Sequence, residues 1–258
     1  MNEFSPLQRS LKHEYELFVE REVENYKDGV SRNALLAIGD EAAAALCAQP
    51  QLALTELMLC GEVDRIICSR LGLPSFRVWR KRHLKALRDY RRPEHWGIHP
   101  DAPLVTAIAA AESSHVLIAG AADPGPALYL AAHGCAVTAL GGQFDAIDRV
   151  MNAAEAAGLT RRVRGYVSDL GSWEPDAPLS AVVYGPVALD GMEASERDRM
   201  IARFQGATMV GGVHLMETSP ATAGARLMDE LCAQYSGWRT AVRGEGGAQS
   251  IFLAHKGS

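Results

Sequence analysis

The sequence predicts an α/β protein. It calls for a seven-stranded, mostly parallel sheet with helices on both faces, preceded by an all-α N-terminal region. Three observations predict it. Up to about residue 100 the apolar residues recur only at helical spacing. From Asp101 onward short strand-like runs alternate with amphipathic stretches, the pattern of a parallel sheet covered on both sides. Near the C-terminus two β-like segments flank Gly244-Glu245-Gly246-Gly247, which predicts a hairpin that brings one antiparallel strand into the sheet.

In order along the chain, Leu7, Leu11, Tyr15, Leu17, Phe18 and Val23 mark a first helix. Ser31 suits the N-cap of a second helix, which ends near Gln49-Pro50. Leu52 to Leu59 reads as a short third helix stopped at Gly61. Next come a helix, a tight turn at Leu71-Gly72-Leu73-Pro74 and a long basic helix, with Pro93 and Pro100 punctuating the exit. A domain of 1–100 and a domain of 101–258 are expected. In the second, a short helix (Pro103–Ala111) leads to strand His115–Ala119, helix Gly125–His133 and strand Ala136–Leu140. Helix Phe144–Ala157 buries Ile147, Val150, Met151 and Ala154. Strands Val163–Val167 and Ser180–Tyr184, helix Ala194–Phe204, strand Met209–Met216 and helix Ala223–Tyr235 follow. Strands Trp238–Val242 and Ser250–Ala254 close the chain.

Composition narrows the class. The chain has 258 residues, 48% hydrophobic, and a net charge of −5, which does not suit a general nucleic-acid coat. Five scattered cysteines without a CxxC pair fit reduced thiols better than a disulfide framework or a zinc site. The N-terminus MNEFSPLQRSLKHEYE lacks an apolar signal core, and no apolar run approaches the ~18 residues of a membrane span. A cytoplasmic location is the expectation.

The stretch VLIAGAADP, then GPALY, then LAAHGCAVTALG (Val116–Gly141) reads strand, glycine turn, helix, strand. Together with AAEAAGLTRRVRGYVSDLGSW, LSAVVYGP and GATMVGGVHLME further on, it resembles the class I S-adenosylmethionine-dependent methyltransferases over about Val105 to Lys256. The resemblance implies a Rossmann-like sheet of seven strands with the last antiparallel, and S-adenosylmethionine as cofactor. It maps the cofactor onto Gly120, Ala121, Ala122 and Asp123 after the first strand. It adds Leu140, Gly141, Gly142 and Gln143 after the second, Asp169 and Leu170 after the third, and Tyr184 and Gly185 after the fourth. By the same mapping Asp169 contacts the adenine amino group. The sequence departs from the family's pattern where an acid is usual in the first strand, now Ile118, and at the ribose-binding acid, now Gly141. Two loop glycines are Ala122 and Pro124. A carboxylate acceptor contributes about 1.5–3 kcal/mol per hydrogen bond, so its loss weakens binding by roughly ten to a few hundred fold. Gln143, with a neutral amide, and Asp123 are the candidate replacements.

Each candidate has a plainer reading. Asp169 suits a turn, and Asp123, before Pro124, suits a helix N-cap. Tyr184 and Glu217 at strand ends line a pocket or its rim. His214, inside a strand, reads as a core histidine rather than a base, and His95 and His99 lack the partners of a metal site, so no metal is expected. No catalytic residue can be named. Residues 62–96 carry ten arginines and lysines against four acids, +6, which leaves −11 elsewhere. VDRIICSRLGLPSFRVWRKRHLKAL resembles a helix-turn-helix with Arg77, Arg80, Lys81 and Lys85 facing outward. The plainer reading there is a helical hairpin with a solvated basic face, or one paired with the acidic remainder or a sister subunit, and it is the favoured one. Trp96 is expected to anchor on the sheet domain. The functions that remain are a methyltransferase acting on an unidentified small-molecule or macromolecular acceptor, and a catalytically inactive relative that binds a ligand, assembles or regulates. Nucleic-acid contact through the basic helix and homo-oligomerisation stay open as additions to either.

Overall fold

The computed structural model describes residues 10–48, 56–108, 114–186, 188–189, 191–218, 225–244 and 250–257. Two compact units form, one up to Ala86 and one from Leu87 onward.

The first unit is helical, with α1 (Leu11–Gly29), α2 (Arg32–Cys47), α3 (Glu56–Leu71) and α4, which starts in it (Phe76–Tyr90). Ser10 and Ser31 cap α1 and α2 by accepting from the amides of His13 and Ala34 at 3.2 and 3.3 Å. Gly61 does not stop a helix: α3 runs straight through it. One exposed glycine costs about 1 kcal/mol against alanine, which Ile66 and Ile67 of α3 offset by packing with Val23, Ile38 and Ala42. The first part of the expected short helix, Leu52 to Thr55, lies outside the described residues.

The second unit opens with a 3-10 turn (Pro93–Trp96) and α5 (Pro103–Ala107). Then follow β1 (His115–Ala119), α6 (Pro124–Ala132), β2 (Ala136–Gly141), α7 (Phe144–Ala156), β3 (Val163–Val167) and β4 (Leu179–Tyr184). Next are α8 (Ala194–Ala207), β5 (Thr208–Thr218), α9 (Ala225–Gln234), β6 (Trp238–Gly244) and β7 (Ser250–Lys256). The seven strands form one sheet in the order β3-β2-β1-β4-β5-β7-β6. The first five are parallel, and β7 runs antiparallel to both β5 and β6. The terminal hairpin does what its glycine-rich break predicts.

Strand alternation splits the core into two layers. Val116 and Ile118 join Ala127, Leu130, Ile147 and Val150, so α6 and α7 cover one face. Leu117 and Ala119 join Met200, Phe204, Leu231 and Tyr235, so α8 and α9 cover the other. Trp96 packs on the first of these layers, as an anchor. Its indole Nε1 donates to the Tyr90 carbonyl at 2.7 Å.

One polar chain runs through the second layer. The Thr208 hydroxyl donates to the Phe204 carbonyl at 2.7 Å, which leaves its oxygen to accept from His214 Nε2 at 2.8 Å. Nδ1 then accepts from the Tyr235 hydroxyl at 2.6 Å. His214 is thus a satisfied core histidine. Burial, with Lys256 nearby, pushes its pKa down to about 3, and burial pushes the Tyr184 and Tyr235 hydroxyls up. An unfolded histidine takes its proton near pH 6.5, so between there and about pH 3 the unfolded chain binds the extra proton. This contribution is therefore constant above about pH 6.5 and lost as the pH falls. Unfolding free energies from urea titrations are expected to fall by about 2 kcal/mol from this group between about pH 7 and about pH 5. His214→Gln, which cannot titrate, is expected to show a correspondingly flatter profile.

Candidate functional site

The parallel ladder brings four strand ends to one edge. Ala119 stands beside Leu140 and Tyr184, and Gly141 stands beside Val167. Three bonds extend the ladder beyond the strands: Ser168 N donates to Gly141 O at 3.1 Å, Gly185 N to Ala119 O at 2.8 Å, and Gly120 N to Leu140 O at 2.8 Å. The carboxyl edge of such a sheet is where ligands bind. The backbones of 120–123, 141–143, 168–170 and 185 all lie there.

The turn after β1 depends on Gly120, whose φ of 71° lies in the left-handed region. It reverses the chain so that α6 starts at Pro124 with Asp123 as its N-cap. The Asp123 carboxylate accepts from Gly125 N at 3.0 Å, so the plainer reading of this acid holds. The Ala121 amide also donates to Leu140 O, at 3.0 Å. Both it and the Gly120 amide are therefore used internally. The space left by the missing Gly120 side chain is taken by Ala188: a Cβ at 120 would stand 2.7 Å from the Ala188 Cβ. The loop is brought there by a turn in which Ala188 N donates to Gly185 O at 2.9 Å. Gly185 in turn leaves room for the Gly120 carbonyl, which a Cβ would approach to 2.6 Å.

The remaining candidates divide into edge and core. Ala122, Asp123, Gly142, Gln143 and Asp169 are exposed. The Asp169 Oδ1 accepts from Gly171 N at 3.2 Å and its carbonyl from Ser172 N and Trp173 N, so it shapes a turn as well as standing at the edge. Gln143 occupies the N-cap position of α7 without a side-chain cap bond, so its amide is uncommitted there. Leu140, Leu170 and Tyr184 have their side chains buried in the core. All three belong to the core layer beneath α8 and α9, and Tyr184 is 1% exposed with its hydroxyl 3.4 Å from His214 Nδ1. Strand alternation decides this: Leu140 and Tyr184 flank Ala119 on the face that those helices cover. Glu217 is half-buried at the end of β5, and burial pushes its carboxyl up. Ile118, in the place of an acid, is 3% exposed and packs with Ile147 and Val150.

Two residues of the edge escaped the sequence reading. Phe144 opens α7 right after Gln143 and is 67% exposed, an open aromatic face beside Gly142. A Gly-Gly-Gln-Phe run at a strand end was the available signal, and the helical periodicity of α7 masked it. Ala188 had no signal, because only the folded loop brings it to Gly120.

This strand order with an antiparallel β7 is the fold of the S-adenosylmethionine-dependent methyltransferases. Among solved structures, the chain is similar to TehB from Haemophilus influenzae, with TM-score 0.52, 20% identity and 62% of each chain covered. It therefore matches less than two thirds of TehB's length. It is also similar to a TehB-like SAM-dependent methyltransferase from Corynebacterium glutamicum, with TM-score 0.50, 15% identity, and 68% of this chain and 98% of that one covered. A third is precorrin-6y C5,15-methyltransferase from Geobacter metallireducens, with TM-score 0.50, 12% identity, and 59% and 85% covered. No protein-family model matches the sequence, and no curated protein matches it significantly. No described helix is long and apolar enough to cross a membrane.

The contact between Gly120 and Ala188 makes a prediction about stability. Gly120→Ala is expected to cost about 2–5 kcal/mol, the sum of a left-handed alanine and an overpacked contact. Adding Ala188→Gly is expected to restore the steric part and leave the backbone part. Gly142→Ala, with open space around its Cβ, is expected to stay within about 0.5 kcal/mol. Urea midpoints of the four proteins check all of this.

Proposed function

We propose that the sheet unit binds S-adenosylmethionine or its product at this carboxyl edge, and that the protein acts as a methyltransferase on an unidentified acceptor. The observation that carries the reading is the convergence of the left-handed Gly120 turn with the ends of β2 and β3 at one edge.

The fit to that cofactor is one-sided. On the adenosine side the residues suit it. The exposed Phe144 ring offers a stacking face, worth about 1–3 kcal/mol to a base. The Gln143 amide would take the ribose hydroxyls and the Asp169 carboxylate an exocyclic amine. On the amino-acid side the fit is poorer: Ile118 offers no charge, and Ala188 sits where the cofactor's close approach to Gly120 would be. When bound, the cofactor supplies an electrophilic methyl carbon. What this chain would add is position, and an in-line displacement depends on position more than on a base. These residues describe a rebuilt and weakened site.

The second reading, a protein that binds or regulates without transferring a methyl group, draws on one observation. Ala188 fills the Gly120 cradle from within the chain. Position 141 separates the two. Gly141 has no left-handed φ, and a Cβ there meets Ala121 O and Ile147 Cδ1 at 3.4 Å, so the backbone admits an aspartate and the neighbours must give by only a few tenths of an ångström. Under the first reading calorimetry is expected to find weak S-adenosylmethionine and S-adenosylhomocysteine binding, tightened about tenfold or more by Gly141→Asp, because a charged acceptor is the stronger one. A folded Gly141→Asp protein with no detectable binding would decide for the second.

Asp169→Ala is expected to weaken S-adenosylhomocysteine binding at least several-fold, about one hydrogen bond to a charged group. Unchanged affinity in a protein that binds would remove Asp169 from the site.

A further inference from the structure

The helical unit contains a feature that the sheet unit's activity does not use. α3 and α4 are joined by the four residues Gly72 to Ser75. Gly72, with φ 59°, makes the turn, and its amide donates to Ser69 O at 3.1 Å while Leu73 N donates to Cys68 O at 3.2 Å. The two helices then diverge. α2 lies alongside α3, but α4 does not. A helical hairpin would pack its two helices side by side, and this pair does not.

α4 is held instead by an aromatic wall. Trp79 lies 5.5 Å from Tyr15 and 6.1 Å from Phe18 of α1, and it stacks on His83 at 4.6 Å. The Tyr15 hydroxyl donates to the Pro74 carbonyl at 3.0 Å and fixes the turn. His83 lies 3.3 Å from Glu14. Phe76, Trp79 and His83 therefore fix one face of α4. At 100° per residue the opposite face holds Arg77, Val78, Lys81 and Lys85, with Leu84 and Arg82 at its sides and Arg80 nearer the aromatic wall. All of these are exposed.

The charges decide what this face is for. Arg21, Lys27, Arg65 and Arg70, on α1 and α3, each pair with a carboxylate. Among the described residues, none of Arg77, Arg80, Lys81, Arg82 and Lys85 does. The acids nearest α1 and α3 pair with the cations of those helices instead. Five unpaired cations on a helix held away from its partner by a glycine turn match a recognition helix in shape and charge.

We propose that the exposed face of α4 docks in the major groove of duplex DNA. Arg77, Arg80, Lys81 and Lys85 neutralise phosphates or reach base edges, and the apolar Val78 suits a thymine methyl. An A-form RNA duplex, whose major groove is deep and narrow, does not admit the helix.

The test uses the full chain and a fluorescent mixed-sequence DNA duplex about two helical turns long. Four neutralised phosphates give a salt slope near −3.6, so affinity is expected to fall about a hundredfold between about 50 mM and about 200 mM salt. Arg80→Gln/Lys81→Gln/Lys85→Gln is expected to weaken binding at least thirtyfold at the lower salt and to flatten the slope by about three quarters. Circular dichroism and the melting midpoint check that this variant folds, and Arg77→Gln/Arg80→Gln serves if it does not. The proposal is overturned by a folded wild-type chain that leaves the duplex unbound at the lower salt. Binding that survives the substitutions also overturns it, as does equal affinity for duplex RNA, polyglutamate or anionic vesicles.

Discussion

Where β1 ends, three small residues from the segments after β1 and β4 meet. Gly120 turns left-handed, Gly185 leaves room for its carbonyl, and Ala188 fills the space that a side chain at 120 would take. This contact sets the carboxyl edge of the sheet. It closes the turn that starts α6, and through the bonds from Gly120 N to Leu140 O and from Gly185 N to Ala119 O it ties the ends of β1, β2 and β4 together. The same contact bears on function. The space that a side chain at 120 would take is filled by the protein's own chain. The edge is open around Gly142, Gln143 and Phe144 and is filled at Gly120.

Below that edge the sheet unit is held by apolar layers and by one saturated polar chain. Thr208, His214 and Tyr235 each find a partner, and His214 stays neutral because burial penalises its charged form. A histidine so placed contributes to the fold and offers nothing to chemistry at the edge. Tyr184, above it, is drawn into the same layer by strand alternation. The helical unit follows a different logic. Its small apolar core of Val23, Ile38, Ala42, Ile66 and Ile67 holds the first three helices, while Trp79 and its aromatic neighbours hold α4. The outer face of α4 carries charge that the unit does not pair.

Much of this was legible in the sequence. The period changed from helical to alternating at Asp101, and the order of short apolar runs yielded the seven strands. The Gly244–Gly247 break foretold the hairpin. Ser31 and Asp123 cap helices as their residue types suggest. Gly61 misled, because a glycine's cost is small beside the packing of the helix that contains it. The side-chain burial of Leu140, Leu170 and Tyr184 was not legible in the mapping. A motif aligns residues along the chain, and it does not record which side of a strand each one faces at the edge.

The sequence by itself determined the helical and strand segments and the basic helix, because those follow from local periodicity and from charge counted along the chain. Only the tertiary structure decided what occupies Gly120, which candidates reach the edge and whether the cations of α4 are paired. Each of these is a distance between residues far apart in sequence. Gly120 and Ala188 are brought together by β1 lying beside β4. The divergence of α4 from α3 depends on Tyr15 and Phe18 holding Trp79 from another helix. Such contacts arise from packing, which is not additive along the chain, and so no reading of short stretches contains them.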